Sequence, residues 1–416
     1  MKIHLIGIGG IGVSALAQYY LSKGHNVSGS DLVASEITDF LKEKGIRISI
    51  GNLAENIKKD LDLAVYSPAV KPNNTEFKRA KKLKIKTISY PQALGELTKE
   101  YYTIAVAGSH GKSTTTAMVS LVLTKAGLDP TVIVGTKLKE FENSNFRAGK
   151  SKFLVIEACE YDSSFLYYSP KIIVVTNIDK EHLDYFKTFA NVKKAFKKFI
   201  VKLPADGFLV NKYPSKEVKK VKKILKVPGK HNVFNAVLAL QVAKILGIPE
   251  KISLEALSEF KGTWRRFEVK EGRANNKKIT IISDYAHHPN EISATLKAVR
   301  EKYPKKTIWC VFQPHQHQRT HYLFLDFVKT FKNAKIENII ITDIYDVAGR
   351  ETKKISKAIT SEKLVEKINT PRGTGRKNVS YLPIEELEFN IKQNINSGDV
   401  LIIMGAGNIY KLADKF

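Results

Sequence analysis

Twice in this chain an apolar strand pattern runs straight into a glycine-bearing loop that opens a helix, and this restricts the fold more than any other feature. The first instance is the strand Lys2–Ile6 followed by Gly7-Ile8-Gly9-Gly10-Ile11-Gly12. The second is a strand at 103–107 followed by Gly108-Ser109-His110-Gly111-Lys112-Ser113-Thr114. A strand that turns at once into a covering helix belongs to a parallel sheet, because parallel neighbours need a crossover connection. The N–H groups at such a helix start have no partner inside the helix, so they form a seat for an anion. Two seats predict two phosphorylated ligands.

Strand and helix patterns alternate through most of the chain. Strands are expected at 26–30, 63–66, 153–157, 172–176, 279–283, 307–312, 339–342 and 400–404, and helices at 11–23, 113–126 and 232–246. At 416 residues the chain exceeds one ordinary core. The pattern restarts near 98 and again after Gly262, which predicts three α/β domains at 1–98, 99–262 and 263–416.

Composition narrows the class. A hydrophobic content of 43% with 26% charged residues suits a globular chain. No apolar run reaches the roughly 18 residues of a membrane span. The first residues enter a strand without a signal-peptide core, and the two cysteines, Cys159 and Cys310, sit in apolar strand-like runs. A cytoplasmic, disulfide-free protein is expected. The formal charge of +27 raises nucleic-acid binding. The lysines, however, are spread over helical segments at 78–86, 193–198 and 219–226, with no interleaved aromatics and no nucleic-acid motif. They predict solvated faces with a general attraction for anions.

The second loop carries the sharper chemistry. Its N–H groups can wrap a triphosphate, Lys112 can neutralise the outer phosphates, and the Ser113 hydroxyl can ligate Mg²⁺. The first glycine of the full phosphate-loop pattern is absent, since Val106 holds its place. In the first loop, Gly7, Gly9 and Gly12 fit the dinucleotide fingerprint, with Asp31 about 20 residues on. Alone that loop would suggest NAD(P) and an oxidoreductase. An oxidoreductase has no use for the second loop.

Carboxylates and a histidine gather at two later strand ends, Glu157-Ala158-Cys159-Glu160-Tyr161-Asp162 and Thr176-Asn177-Ile178-Asp179-Lys180-Glu181-His182, where Mg²⁺ ligands are expected. In the last third, Asp284-Tyr285-Ala286-His287-His288-Pro289 and Gln313-Pro314-His315-Gln316-His317-Gln318-Arg319-Thr320-His321 follow strands. His315 and His317 are expected on one strand face. Without cysteines beside them or carboxylates to orient their rings they predict a polar rim for an anionic or amino-acid ligand rather than zinc. Trp264-Arg265-Arg266-Phe267 brings two guanidinium groups suited to forked carboxylate or phosphate contacts.

Together these residues resemble the Mur ligases, and within them the branch that adds alanine. The resemblance rests on Gly7 to Gly12, Ser28-Gly29-Ser30-Asp31, the loop at 108–116, the run 176–182, Gly229-Lys230-His231-Asn232-Val233-Phe234-Asn235-Ala236, Arg265 to Phe267, Asp284 to Pro289 and Gly405-Ala406-Gly407-Asn408. It implies a Rossmann-like N-terminal domain, a central ATPase-type α/β domain and a Rossmann-like C-terminal domain. It also implies ATP-dependent ligation of L-alanine, or a similar small amino acid, to the lactyl carboxylate of UDP-N-acetylmuramate through an acyl phosphate, in peptidoglycan precursor synthesis.

The resemblance assigns roles as well. Gly9, Gly10, Ile11 and Gly12 would hold the UDP-sugar diphosphate, with Asp31 and Ser67 near the nucleotide. Gly108, Ser109, His110, Gly111, Lys112, Ser113 and Thr114 would wrap the ATP phosphates. Ser113, Glu160 and His182 would serve Mg²⁺, and Asn232 and Asn235 would face the adenine. Arg266, His287, His288 and Arg319 would line the muramyl and amino-acid end. His287 and His288 are both open as the base for the amine. A monomer or weak homodimer is expected.

Three departures stand out: Cys159 where the alanine-adding enzymes carry Asp, Gln316 and His317 in place of an Arg and a Tyr, and a short stretch at 211–228. The alternatives are a recycling ligase that attaches a whole peptide to the same UDP-sugar, an NAD(P)-dependent oxidoreductase, and an ATPase stimulated by nucleic acid.

Overall fold

A computed structural model describes residues 1–346, 359–370 and 378–416. Its strands form three sheets. The first holds β1 (Lys2–Ile6), β2 (Asn26–Asp31), β3 (Arg47–Ile50), β4 (Leu63–Tyr66) and β5 (Lys86–Ser89), in the order β3-β2-β1-β4-β5, all parallel. The second holds β6 (Tyr102–Ala107), β7 (Thr131–Leu138), β8 (Ser144–Arg147), β9 (Phe153–Glu157), β10 (Ile172–Val175) and β11 (Phe208–Val210), in the order β11-β10-β6-β9-β7-β8. The third holds β12 (Glu268–Ala274), β13 (Lys277–Asp284), β14 (Ile308–Phe312), β15 (Asn338–Ile341), β16 (Asn378–Tyr381) and β17 (Val400–Met404), in the order β12-β13-β17-β14-β15-β16.

The central strands are short apolar runs rich in β-branched residues, such as Ile172–Val175 and Val400–Met404, buried along their whole length. That is the signature of parallel strands covered on both faces. The pairings β7–β8 and β12–β13 at the edges are antiparallel, and the remaining ones are parallel. Two buried clusters flank the third sheet. One is centred on Phe312, Phe327 and Phe331, the other on Ile281, Leu401 and Ile403.

Strand order decides where ligands can sit. β1 lies between β2 and β4, and β6 lies between β9 and β10. In each case the chain departs in opposite directions on either side, which opens a crevice at the carboxyl end of the central strand. Both glycine loops occupy such a crevice. In the third sheet, Asp284, Met404 and Phe312 are in register at the ends of β13, β17 and β14, so the loops after these strands emerge side by side.

By contacts the chain forms two compact units. The first comprises Met1–Glu181, Phe189–Ile224 and Phe234–Phe260, and the second His182–Thr188, Leu225–Val233 and Lys261–Phe416. The first unit therefore holds two sheets. A buried polar clasp fastens helix Ile11–Ser22 to β8: Gln18 Nε2 donates to Asn145 Oδ1 at 2.9 Å, Ser144 Oγ to Gln18 Oε1 at 2.9 Å, and Asn145 Nδ2 to Ser14 Oγ at 3.0 Å. No helix among the described residues is long and apolar enough to cross a membrane.

Candidate active site

The loop after β6 is built from backbone that only glycine adopts comfortably. Gly108 has φ +139° and Gly111, the N-cap of helix Lys112–Lys125, has φ +80°. A Cβ on Gly108 would lie 2.0 Å from Thr176 Oγ1, and one on Gly111 would lie 2.5 Å from Asn235 Oδ1. The strand-end segment after β10 pins this loop from the side. Asn177 Oδ1 accepts from the His110 N–H at 3.0 Å, Asn177 Nδ2 donates to His110 O at 2.9 Å, and the Asp179 N–H donates to Ser109 Oγ at 2.8 Å. His110 Nε2 lies 3.4 Å from Asp179 Oδ2. Asn177 and Asp179, expected from sequence among candidate metal ligands, thus shape the loop.

Lys112 folds back under the loop it terminates. Its Nζ donates to Gly108 O at 2.6 Å, Ser109 O at 3.0 Å and Glu160 Oε1 at 3.2 Å. The Lys112 side chain is 13% exposed and that of Glu160 is 0%. Burial works against the Lys112 charge, but the surrounding acidic groups, Glu160 first and then Cys159 and Glu157, together outweigh it and hold the ammonium above its ordinary range. Burial also pushes the Glu160 carboxyl up, against the pull of Lys112. Cys159 lies beside them with its thiol raised by burial to about 12, which makes it unreactive as a nucleophile.

The loop after β1 is stabilised by the acid at the end of β2. Asp31 Oδ2 accepts from the Gly9 N–H at 2.7 Å and Oδ1 from the Leu32 N–H at 2.8 Å. A Cβ on Gly12 would lie 2.7 Å from the Tyr90 hydroxyl oxygen, and one on Gly7 would lie 2.9 Å from Ser67 Cβ. Gly9, Gly10, Ile11, Gly12, Asp31 and Ser67 therefore line one crevice of the first unit. Tyr90, which sequence reading passed over, packs against Gly12. Burial and then the Glu157 carboxylate suppress ionisation of its hydroxyl.

In the second unit, the polar residues collect at the carboxyl edge of the third sheet. Arg266 Nη1 lies 3.9 Å from Glu291 Oε1, and His287 Nδ1 lies 3.3 Å from Glu291 Oε2. The His287 and His315 rings meet edge to face at 5.7 Å, His315 stacks on Tyr345 at 5.6 Å, and Arg319 Nη1 lies 3.1 Å from His315 Nδ1. Arg266, His287 and Arg319 therefore belong to one continuous array. His288 caps helix Pro289–Lys302, its Nδ1 accepting from the Asn290 N–H at 3.3 Å.

Two sequence expectations are corrected here. Arg265 is not a ligand-facing partner of Arg266. Its guanidinium is buried over Tyr410 at 4.3 Å and donates to Gly405 O at 2.5 Å and Gly407 O at 3.0 Å, tying two loops together. Arg265 itself adopts a positive φ of +56°. Nor do His315 and His317 share a strand face. Gln316 adopts φ +71°, the extended run ends there, and His317 opens the helix His317–Tyr322.

The sequence-expected ATP and metal residues divide between the units. The loop from Gly108 to Thr114, Glu160 and Asn235 fall in the first, and His182 and Asn232 in the second. Asn235 packs against Gly111, and Asn232 Nδ2 donates to Pro228 O at 2.7 Å. Sequence reading also missed Glu291 as a member of the array. Its spacing three residues after His288 is that of a capping box, and the helix start was the available signal.

Profiles described as "Mur ligase family, catalytic domain", "Mur ligase middle domain" and "Mur ligase, glutamate ligase domain" match residues 2–102, 106–226 and 265–407. A UDP-N-acetylmuramate–L-alanine ligase of Clostridium botulinum (strain Hall) is 40% identical over 458 residues, covering 100% of this chain and 97% of its own length. That of Caldanaerobacter subterraneus subsp. tengcongensis is 39% identical over 464 residues, with the same coverage of 100% and 97%. The solved UDP-N-acetylmuramate–alanine ligase of Thermotoga maritima superposes with a TM-score of 0.81 at 28% identity, over 100% of this chain and 98% of its own. A murein peptide ligase of Psychrobacter arcticus shares the fold, with a TM-score of 0.72 at 21% identity over 100% and 98%.

Proposed function

This chain belongs to the Mur ligase family, and on that premise we propose that it joins L-alanine to the lactyl carboxylate of UDP-N-acetylmuramate, consuming ATP. The observation that carries the reading is Lys112 held over buried Glu160 beneath a glycine loop that opens a helix.

A carboxylate resists an amine because it is anionic and its leaving group would be oxide. Phosphorylation converts that oxide into phosphate. The loop from Gly108 to Thr114 seats the triphosphate, and Lys112 stabilises the charge that grows on the transferring phosphoryl group. Gly9, Gly10, Ile11 and Gly12 seat the UDP diphosphate at the other crevice, near Asp31 and Ser67. The amine then attacks the acyl carbon, and phosphate leaves. Arg319 grips the amino-acid carboxylate, and Arg266 faces the muramyl end.

The Ser113 hydroxyl and the buried carboxylate of Glu160 are hard oxygen donors beside the phosphate seat, and such a set fits Mg²⁺. We assign these two residues to it. The ion would supply charge neutralisation at the phosphate oxygens. ATP and a UDP-sugar place the enzyme in the cytoplasm.

Phosphate release is the test, with UDP-N-acetylmuramate and a panel of amino acids and with the peptide substrate of a recycling ligase as competitor. L-alanine should support the fastest turnover. Faster turnover with the peptide would replace this reading with the recycling one, and no turnover with any amine would remove it.

A further inference from the structure

One carboxylate in the third sheet's array serves more than its helix. Glu291 Oε2 accepts from the His287 N–H at 3.2 Å and the His288 N–H at 3.4 Å, which completes the cap of helix Pro289–Lys302. The same oxygen lies 3.3 Å from His287 Nδ1, and Oε1 faces Arg266 Nη1 at 3.9 Å. His287 Nδ1 also meets Tyr285 O at 3.0 Å. A carbonyl and a carboxylate only accept, so Nδ1 must carry the proton, and the lone pair of the neutral ring is on Nε2. In His288 the order is reversed, because Nδ1 accepts from the Asn290 N–H. Of the two adjacent histidines, the geometry favours His287 as the base.

We propose that Glu291 is a positioning residue for amide formation, holding His287 in the Nδ1–H tautomer so that Nε2 takes the proton of the attacking amine. This rests on the ligase reading above. In the step, the amine nitrogen bonds to the acyl carbon, the bond from that carbon to the phosphate oxygen breaks, and phosphate leaves with the electron pair. The surplus proton on nitrogen passes to His287 Nε2. A carboxylate behind an imidazole fixes its orientation and favours the imidazolium that forms. Among the described residues, the charged and titratable groups facing this pair include Arg266, Asp284, Tyr285, His231, His288 and His315, with Arg319 beyond His315.

Glu291→Gln tests this, because an amide oxygen can still cap the helix while the charge is gone. We expect an unchanged melting temperature, unchanged Michaelis constants for ATP and UDP-N-acetylmuramate, and a kcat lower by roughly ten- to a hundredfold. The acidic limb of the kcat–pH profile should move to lower pH, since loss of the carboxylate lowers the imidazole pKa. In a His287→Gln background, Glu291→Gln should have little further effect. An unchanged pH profile, or a full additional loss in the His287→Gln background, would overturn the proposal. Wild-type enzyme that releases no phosphate with UDP-N-acetylmuramate and L-alanine would instead remove the ligase reading beneath it.

Discussion

Lys112 Nζ lies 3.1 Å from Glu160 Oε2 and 3.2 Å from Oε1, and the carboxylate it meets is wholly buried. Removing either partner strands a charge in a desolvated site. Lys112→Met should therefore cost about 3 kcal/mol of stability and at least a hundredfold in kcat. The double variant Lys112→Met with Glu160→Gln should unfold in urea at a higher midpoint than the sum of the single losses implies. Additive losses would show that the two side chains do not depend on each other.

Gly108 sits at φ +139°, and a Cβ there would overlap Thr176 Oγ1 at 2.0 Å. Gly108→Ala should raise the Michaelis constant for ATP by at least tenfold and destabilise the chain by about 1–3 kcal/mol. The UDP-sugar constant should stay near its wild-type value. Calorimetry with a non-hydrolysable ATP analogue checks this, and unaltered binding would contradict it.

Arg319 Nη1 lies 3.1 Å from His315 Nδ1, at the edge where the amine is proposed to arrive. Arg319→Lys keeps the charge but loses the fork. The Michaelis constant for the amino acid should rise by about tenfold while that for ATP is unchanged. A rise confined to the UDP-sugar constant would move Arg319 to the sugar-nucleotide site.

Much of this was legible because it is local. Buried apolar runs rich in β-branched residues marked the central strands, and the glycine loops lie where they are expected, after β1 and β6. Roles set by distant backbone were not legible. Arg265 and Arg266 are neighbours in sequence, yet Arg265 is buried against Gly405 and Gly407 while Arg266 faces Glu291. Those partners, Gly405 and Gly407 for one and Glu291 for the other, lie far along the chain and cannot be read from the two arginines. Asn177 was read within a metal-ligand run, and only the pairing of β10 with β6 brings it to His110. The strand at 307–312 ends where expected, but Gln316 turns the chain and separates His317 from His315.

His4 supplies a pH test of the first sheet. Buried on β1, its ring donates or accepts at Ser28 Oγ at 2.9 Å and faces Glu76 Oε1 at 3.9 Å, and burial lowers its pKa to about 4. Below pH ~6.5 the unfolded chain binds a proton that the folded ring refuses until about pH 4. The stability present above that window is lost as pH falls through it, by up to about 3 kcal/mol. Burial raises the pKa of Glu76, which acts in the opposite direction. The difference between wild type and His4→Asn isolates the histidine. The variant should lose less stability between pH 6.5 and pH 4, and parallel curves would show that His4 does not titrate as its burial requires.

The central claim is that a carboxylate is activated by ATP before an amine attacks it, and isotope transfer tests it most directly. UDP-N-acetylmuramate with both lactyl carboxylate oxygens labelled as ¹⁸O is incubated with the enzyme, ATP, Mg²⁺ and L-alanine. If an acyl phosphate forms, one labelled oxygen leaves with the phosphoryl group and the other stays in the amide. Mass spectrometry should find one ¹⁸O in each phosphate released, in step with amide formed. Unlabelled phosphate released alongside amide product would contradict the account.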